Sequence, residues 1–249
     1  MSERTTEPPG VPRARMMLQR AHWAATAFAG YDRERTHRIV LAVADEAYRN
    51  AERYAEWAVR ETGFGVVDHK RRKNEACSRG LVEWYAGSDF VSARIDADSK
   101  IVELPRPAGV VLALTPSTNP IATVYFKVLL ALMTRNAVVV SPHPLAREVS
   151  VDAVQHLAAA AVAAGAPDGC IQVVEEPTIP LIEALMSDPT TDVILATGGS
   201  AVVRAAYRSG NPAIGVGPGN VPALVDHTAD LALAAERLVD SKAFDNSIL

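Results

Sequence analysis

Hydrophobic residues recur along this chain in two rhythms, and the rhythm changes near residue 106. The first is helical. Met16, Met17, Arg20, Trp23, Ala27 and Phe28 form one amphipathic stretch. Residues 35–61 predict a single longer helix, with Ile39, Val43, Ala47, Tyr54, Trp57 and Ala58 on one stripe. Gly63 and Gly65 end it, and residues 66–85 predict another helix. Such a Trp and Met stripe reads as core packing. Alternation in VSARI and KIVEL around residues 96–99 predicts a β-hairpin over 90–103.

From Ala108 onward, strand and helix alternate. Short aliphatic runs predict strands at 109–115, 137–141, 170–174, 193–197, 213–216 and 221–226. Helices are predicted at 120–134, 146–164, 179–187, 200–209 and 229–242, with Gly165 and Gly210 closing two of them. Strands without a polar face, joined through helices, specify an α/β fold: a Rossmann-like doubly wound, mostly parallel sheet. The helical segment and the hairpin precede it. Residues 1–12 lack a signal-peptide core and read as a disordered leader. Residues 13–88 form a helical part, 89–105 the hairpin, and 106–249 a dinucleotide-binding domain.

The turns after these strands hold the candidate chemistry. Residues 104–120, LPRPAGVVLALTPSTNP, run from a buried strand into a polar turn carrying Asn119. Ligands of open α/β sheets bind at such strand ends. Asn119 either offers its N–H₂ to a developing oxyanion or caps the following helix. TGGS (Thr197, Gly198, Gly199, Ser200) lets a phosphate approach backbone at a helix start. SPHP, with Ser141 and His143, can border a ribose, and GVGPGN, with Gly215, Val216 and Gly217, a nicotinamide. The G-x-G-x-x-G fingerprint is missing, so the residues reach a dinucleotide-binding domain and stop there.

Composition narrows the function classes. A net charge of −4 and a pI near 5.9 give no reason to expect nucleic-acid binding. The basic run 70–73 reads as a solvated helix face. No run is long enough to span a membrane. Cys77 and Cys170, without metal-type spacing, read as reduced structural residues of a cytoplasmic protein, with no metal site.

Six ordered segments carry a resemblance: RPAGVVLALTPSTNP, TRNAVVVSPHPLA, AAVAAGAPDGCIQVVEEP, VILATGGSAVVRAAY, NPAIGVGPGNVPALVD and SKAFDNSIL. They are similar to the CoA-acylating branch of the aldehyde dehydrogenase superfamily, which includes the aldehyde dehydrogenase half of bifunctional aldehyde–alcohol dehydrogenases. ETGFGVVDHKRRKN extends the likeness into the helical half. The resemblance implies oxidation of a small aldehyde, acetaldehyde or sulfoacetaldehyde among the candidates, to its acyl-CoA through a cysteine thioester. It makes Asn119 the oxyanion-hole asparagine. It sets Thr115 and Pro116 against the cofactor, Ser141 and His143 at the adenosine ribose, and Thr197 through Ser200 beneath the pyrophosphate. Gly215, Val216 and Gly217 fall beside the nicotinamide. Hydrolytic relatives place a water-activating glutamate where this chain has Val216, so transfer to CoA is implied. Pro144 replaces an acidic residue near the ribose, leaving NADP possible beside NAD.

The family's cysteine follows the FDN motif, beyond Leu249, and the catalytic domain is absent from these residues. These 249 residues are therefore expected to be inactive alone. The alternative is a nucleophile-free dinucleotide-binding module with an assembly or regulatory role. A homo-oligomer built through the hairpin is implied, in the cytoplasm or a microcompartment. Thr123, Phe126 and Lys127 are expected at the aldehyde tunnel, with Lys127 read as a solvated surface lysine.

Overall fold

The computed structural model describes residues 10–248. Helices come first: α1 Val11–Ala29, α2 Arg33–Arg49, α3 Ala51–Thr62, α4 Val67–Glu75 and α5 Leu81–Trp84. A hairpin of β1 Arg94–Asp96 and β2 Ile101–Glu103 follows. Then come β3 Val110–Leu114, α6 Pro120–Met133, β4 Ala137–Ser141, α7 Arg147–Ala163, β5 Ile171–Val173, α8 Ile179–Ser187, β6 Val193–Thr197, α9 Ser200–Arg208, β7 Ala213–Val216 and α10 Leu231–Ala243.

The main sheet is wholly parallel, in the order β5-β4-β3-β6-β7. Every residue of β3 and β4 is buried, as their unbroken aliphatic runs require. The chain leaves β3 to build one flank of the sheet and returns through β6 to build the other. The switch point therefore lies between β3 and β6. Helix α1 packs on β3, β4 and α8, while α2 and α3 pack on α6 and α7.

Local chemistry redraws several predicted boundaries. The long helix expected at 35–61 is two helices, because Asn50 turns its amide onto the Glu46 carbonyl (2.9 Å) and carboxylate (2.7 Å). The helix expected at 66–85 contains a π turn at Ala76–Gly80, where Ser78 Oγ donates to the carbonyls of Asn74 and Glu75. The leader gives way to helix at Val11, earlier than expected, and residues 1–9 lie outside the described residues. On α1 the buried stripe is Ala14, Leu18, Ala21, Ala24, Ala25 and Phe28, whereas Met16 and Trp23 are exposed. Small residues let this helix approach the sheet closely, so the expected Met and Trp core face is wrong there. The run 221–226 forms no strand and is exposed, since Pro222 lacks the N–H that a ladder needs. Cys170 is buried beside β5, an edge strand of the sheet.

The start of β3 depends on one close approach. Gly109 has φ +128°, and a Cβ there would lie 2.1 Å from Asp192 Oδ2, which accepts the Val110 N–H at 2.7 Å. Gly63 also has positive φ, yet nothing lies within 4 Å of its Cβ position. Gly109→Ala is expected to destabilise the fold by about 2–4 kcal/mol, combining strain with a clash. Gly63→Ala is expected to cost about 1 kcal/mol. Urea denaturation midpoints of the two variants check the difference.

Candidate active site

A cleft of about 380 Å³ opens over the carboxyl ends of β3, β4 and β6, at the switch point. Its floor is Leu114, Thr115 and Pro116 from the end of β3 and Ser141 and His143 from β4, with Thr197, Gly198 and Gly199 after β6. Its walls are mostly apolar, Ile182 and Met186 of α8 together with Ala201, Val202 and Ala205 of α9, with the Glu183 carboxylate of α8 also lining it. Seven of the sequence-predicted residues thus meet in one cleft. Ser200, Gly215, Val216, Gly217 and Asn119 do not line it.

Two features of the cleft are unspent. Thr115 Oγ1 is buried and has no hydrogen-bond partner among the described residues. Helix α9 begins at Ser200 with Gly199 as its N-cap and no side-chain cap, so its first N–H groups face outward. Helix α7 differs. Glu61 accepts the N–H groups of Glu148 and Val149, both at 2.8 Å, and so occupies that N-terminus with the chain's own carboxylate. His143 Nδ1 accepts the Leu145 N–H at 3.1 Å, which places a proton on Nε2 in the neutral ring; burial lowers its pKa. Gly215 faces inward: a Cβ there would stand 2.6 Å from Val203 Cγ1, so packing of α9 on β7 requires that glycine.

Lys127, read from sequence as solvated, is buried against the inner strands β3 and β6. Its Nζ donates to the carbonyls of Leu114 and Leu195, each at 2.7 Å, and so ties the end of β3 to the middle of β6. It is therefore not available to attract a substrate tail. Burial pulls its pKa down to about 7.

Asn119 sits at the start of α6 without capping it: its side chain makes no cap hydrogen bond. Its Oδ1 instead accepts from Lys73 Nζ at 3.0 Å and Lys70 Nζ at 3.3 Å. The capping alternative is therefore replaced by an ammonium-bound amide. The expected solvated face at 70–73 is likewise corrected. Lys70, Lys73 and Asn74 follow helical spacing toward the interior, and Arg72 alone of the run is exposed. The counter-ion is Asp245, fully buried, whose Oδ2 takes Lys73 at 2.7 Å and Lys70 at 3.0 Å. Its Oδ1 accepts the Val66 N–H at 2.8 Å, and its own N–H donates to His69 Nδ1 at 2.8 Å. Burial opposes the Asp245 charge, but Lys73, the Val66 N–H and Lys70 outweigh it and hold the carboxyl below its ordinary range. Burial lowers the Lys70 pKa, with Asp245 restoring part of it. Gly65 makes room: a Cβ there would be 2.2 Å from Asp245 Oδ1. Asp245, Asn246 and Ser247 all have positive φ, a run that costs roughly 1–2 kcal/mol per residue and persists because these contacts impose it. Sequence reading missed Lys70, Lys73, Asp245 and Gly65 as one cluster; the i, i+3 lysine spacing was the available signal.

Residues 10–247 match the aldehyde dehydrogenase family. The chain belongs to that family. It is similar to the bifunctional aldehyde-alcohol dehydrogenase of Escherichia coli, with 37% identity over 94% of this chain and 26% of the relative. It is 36% identical to the acetylating succinate-semialdehyde dehydrogenase of Clostridium kluyveri, over 94% of this chain and 51% of the relative. An acetylating aldehyde dehydrogenase from Geobacillus thermoglucosidasius superposes with a TM-score of 0.90 at 40% identity, covering 95% of this chain and 52% of that one. A propionaldehyde dehydrogenase from Rhodopseudomonas palustris, solved with bound CoA and an acylated cysteine, has a TM-score of 0.81 and 31% identity, over 94% of this chain and 53% of that one. The chain thus spans about a quarter of the bifunctional relative and about half of the others. Two of these relatives, from Clostridium kluyveri and Geobacillus thermoglucosidasius, are named as acetylating enzymes, and the chain shares the fold of the solved ones. Among the described residues no helix is long and apolar enough to cross a membrane.

The Lys127 geometry has a pH consequence. Between about pH 7 and 10.5 the unfolded chain keeps the Lys127 proton while the folded chain releases it. Stability therefore rises with pH across that window, by at most about 1.4 kcal/mol per pH unit. Below pH 7 both states are protonated and this dependence ends. Lys127→Met is expected to lack the slope, as measured by urea denaturation from pH 6.5 to 9.5.

Proposed function

We propose that these residues supply the cofactor cleft and the oxyanion donor of a CoA-acylating aldehyde dehydrogenase, which oxidises a small aldehyde to its acyl-CoA with NAD or NADP. The observation that carries this reading is the Asn119 amide, its Oδ1 taken by two ammonium groups, beside a switch-point cleft. Nδ2 is then the end left to donate, and it suits an oxyanion that develops when a nucleophile adds to an aldehyde carbonyl.

The cleft fits a dinucleotide on its own features. The slot between α8 and α9 suits a flat aromatic base, the uncapped start of α9 suits a pyrophosphate, and the unpartnered Thr115 hydroxyl has a hydrogen bond to give. Ser141 and the Nε2–H of neutral His143 flank a ribose, and no carboxylate of that turn stands against a 2′-phosphate. Val216 and Gly217, at the exposed end of β7, border the nicotinamide end. A nicotinamide held there would supply the hydride acceptor for the carbon of the tetrahedral adduct. Asn119 holds the developing negative charge, and Lys127 ties β3 to β6 beneath the cofactor.

Neither cysteine serves as the nucleophile. Burial raises the Cys77 thiol and pushes Cys170 up to about 12, so both are protonated near neutrality. The thioester and the CoA site are therefore assigned to residues outside this stretch. That keeps one second reading, a nucleophile-free dinucleotide-binding module. The hairpin, exposed at Ile95, Ile101 and Val102, is the proposed homo-oligomer surface.

The 249-residue chain is expected to bind NAD by calorimetry yet produce no NADH from acetaldehyde and CoA. Turnover by the chain alone would overturn the assignment of the nucleophile. Ala205→Leu, at an exposed position on the slot, is expected to weaken NAD binding at least about tenfold, with the melting temperature unchanged. In the protein as its host produces it, Asn119→Ala is expected to lower kcat for aldehyde oxidation about 10²–10³-fold.

A further inference from the structure

We infer that Lys70 and Lys73 are positioning residues that orient and polarise the Asn119 amide, with Asp245 as their shared counter-ion; the inference rests on the oxyanion-donor reading of Asn119. Each ammonium has three acceptors for its three N–H bonds. Lys70 Nζ donates to Thr118 O at 2.7 Å, Asp245 Oδ2 at 3.0 Å and Asn119 Oδ1 at 3.3 Å. Lys73 Nζ donates to Ile248 O at 2.5 Å, Asp245 Oδ2 at 2.7 Å and Asn119 Oδ1 at 3.0 Å. Both lone pairs of the Asn119 carbonyl are therefore taken by cations. A flipped amide would set its N–H₂ group against two ammonium groups, so one orientation is imposed.

The second effect is electronic. Two cations on the amide oxygen favour the form in which nitrogen shares its electron pair with carbon, and the Nδ2–H bonds become stronger donors. The sum of two ammonium charges and one carboxylate is +1, and it lies behind the amide rather than in front of it. That charge adds to the attraction for an oxyanion without touching it. A neutral donor to Oδ1 polarises the amide less and adds no charge.

The arrangement also ties distant segments to one point. Lys73 joins Asn119 of the β3–α6 turn to the carbonyl of Ile248, through an ammonium on α4. Phe244 stacks on His69 at 4.4 Å and closes the same side. The strained turn at 245–247 is held by the group that orients the donor.

The test reads the side-chain amide of Asn119 by ¹⁵N NMR in the 249-residue chain, its signal assigned by its loss in Asn119→Asp. The wild-type ¹⁵Nδ2 signal is expected downfield of the other side-chain amides, and Lys73→Met is expected to move it upfield toward them. A wild-type signal among the exposed asparagines, or one that Lys73→Met leaves in place, overturns the inference. If Lys73→Met does not fold, Lys70→Met, which leaves Lys73 paired with Asp245, reads the same signal. In the host's protein Lys73→Met is expected to lower kcat about tenfold with little change in KM for the aldehyde. An Asn119→Ala enzyme with normal kcat would remove the oxyanion reading while leaving the amide shift intact, so the two failures are distinguishable.

Discussion

Strand β3 is bonded to β4 on one side and β6 on the other, in register along its length. None of its backbone is left for a third partner, and neither of its faces meets water. The chain leaving its carboxyl end must turn away, and the chain returning at β6 must do so on the other flank. A crevice at that end is the geometric result. Lys127 reinforces it by donating to the carbonyls of Leu114, the last residue of β3, and Leu195 in the middle of β6. The cofactor cleft and the Asn119 turn both begin within a few residues of that divergence.

Buried cations do two different jobs in this fold. Lys127 has only backbone carbonyls for company, so burial depresses its pKa and its charge is marginal near neutrality. Lys70 and Lys73 share Asp245, whose full burial would be untenable without them. Neighbouring charges, rather than depth of burial alone, separate the two cases. The carboxylate in turn stabilises a left-handed turn at 245–247 that an isolated peptide would not hold.

Much of this was legible in the chain. Unbroken runs such as VVLAL and AVVVS fit only strands covered on both faces, and their alternation with helices fixed the fold class. The turns after them carry Thr115, Pro116, Ser141, His143, Thr197, Gly198 and Gly199, which meet in one cleft. Local patterning failed where a polar side chain competed with the backbone, at Asn50 and Ser78, and where Pro222 removed a ladder donor. It also failed for Lys70 and Lys127, because a lysine on a helix is solvated by default and only its partners can say otherwise.

The sequence by itself determined the order of elements, the parallel sheet and the family, since these follow from hydrophobic periodicity and from motifs contiguous along the chain. Tertiary structure alone decided which face of α1 is buried, that Gly215 serves packing, and that Asn119 is held by two lysines. Those outcomes depend on separate elements meeting in space, over 46 positions where Lys73 meets Asn119 and 175 where Lys70 meets Asp245. No local pattern encodes such a meeting: the strands first bring the segments together, and the desolvated charges then select their partners.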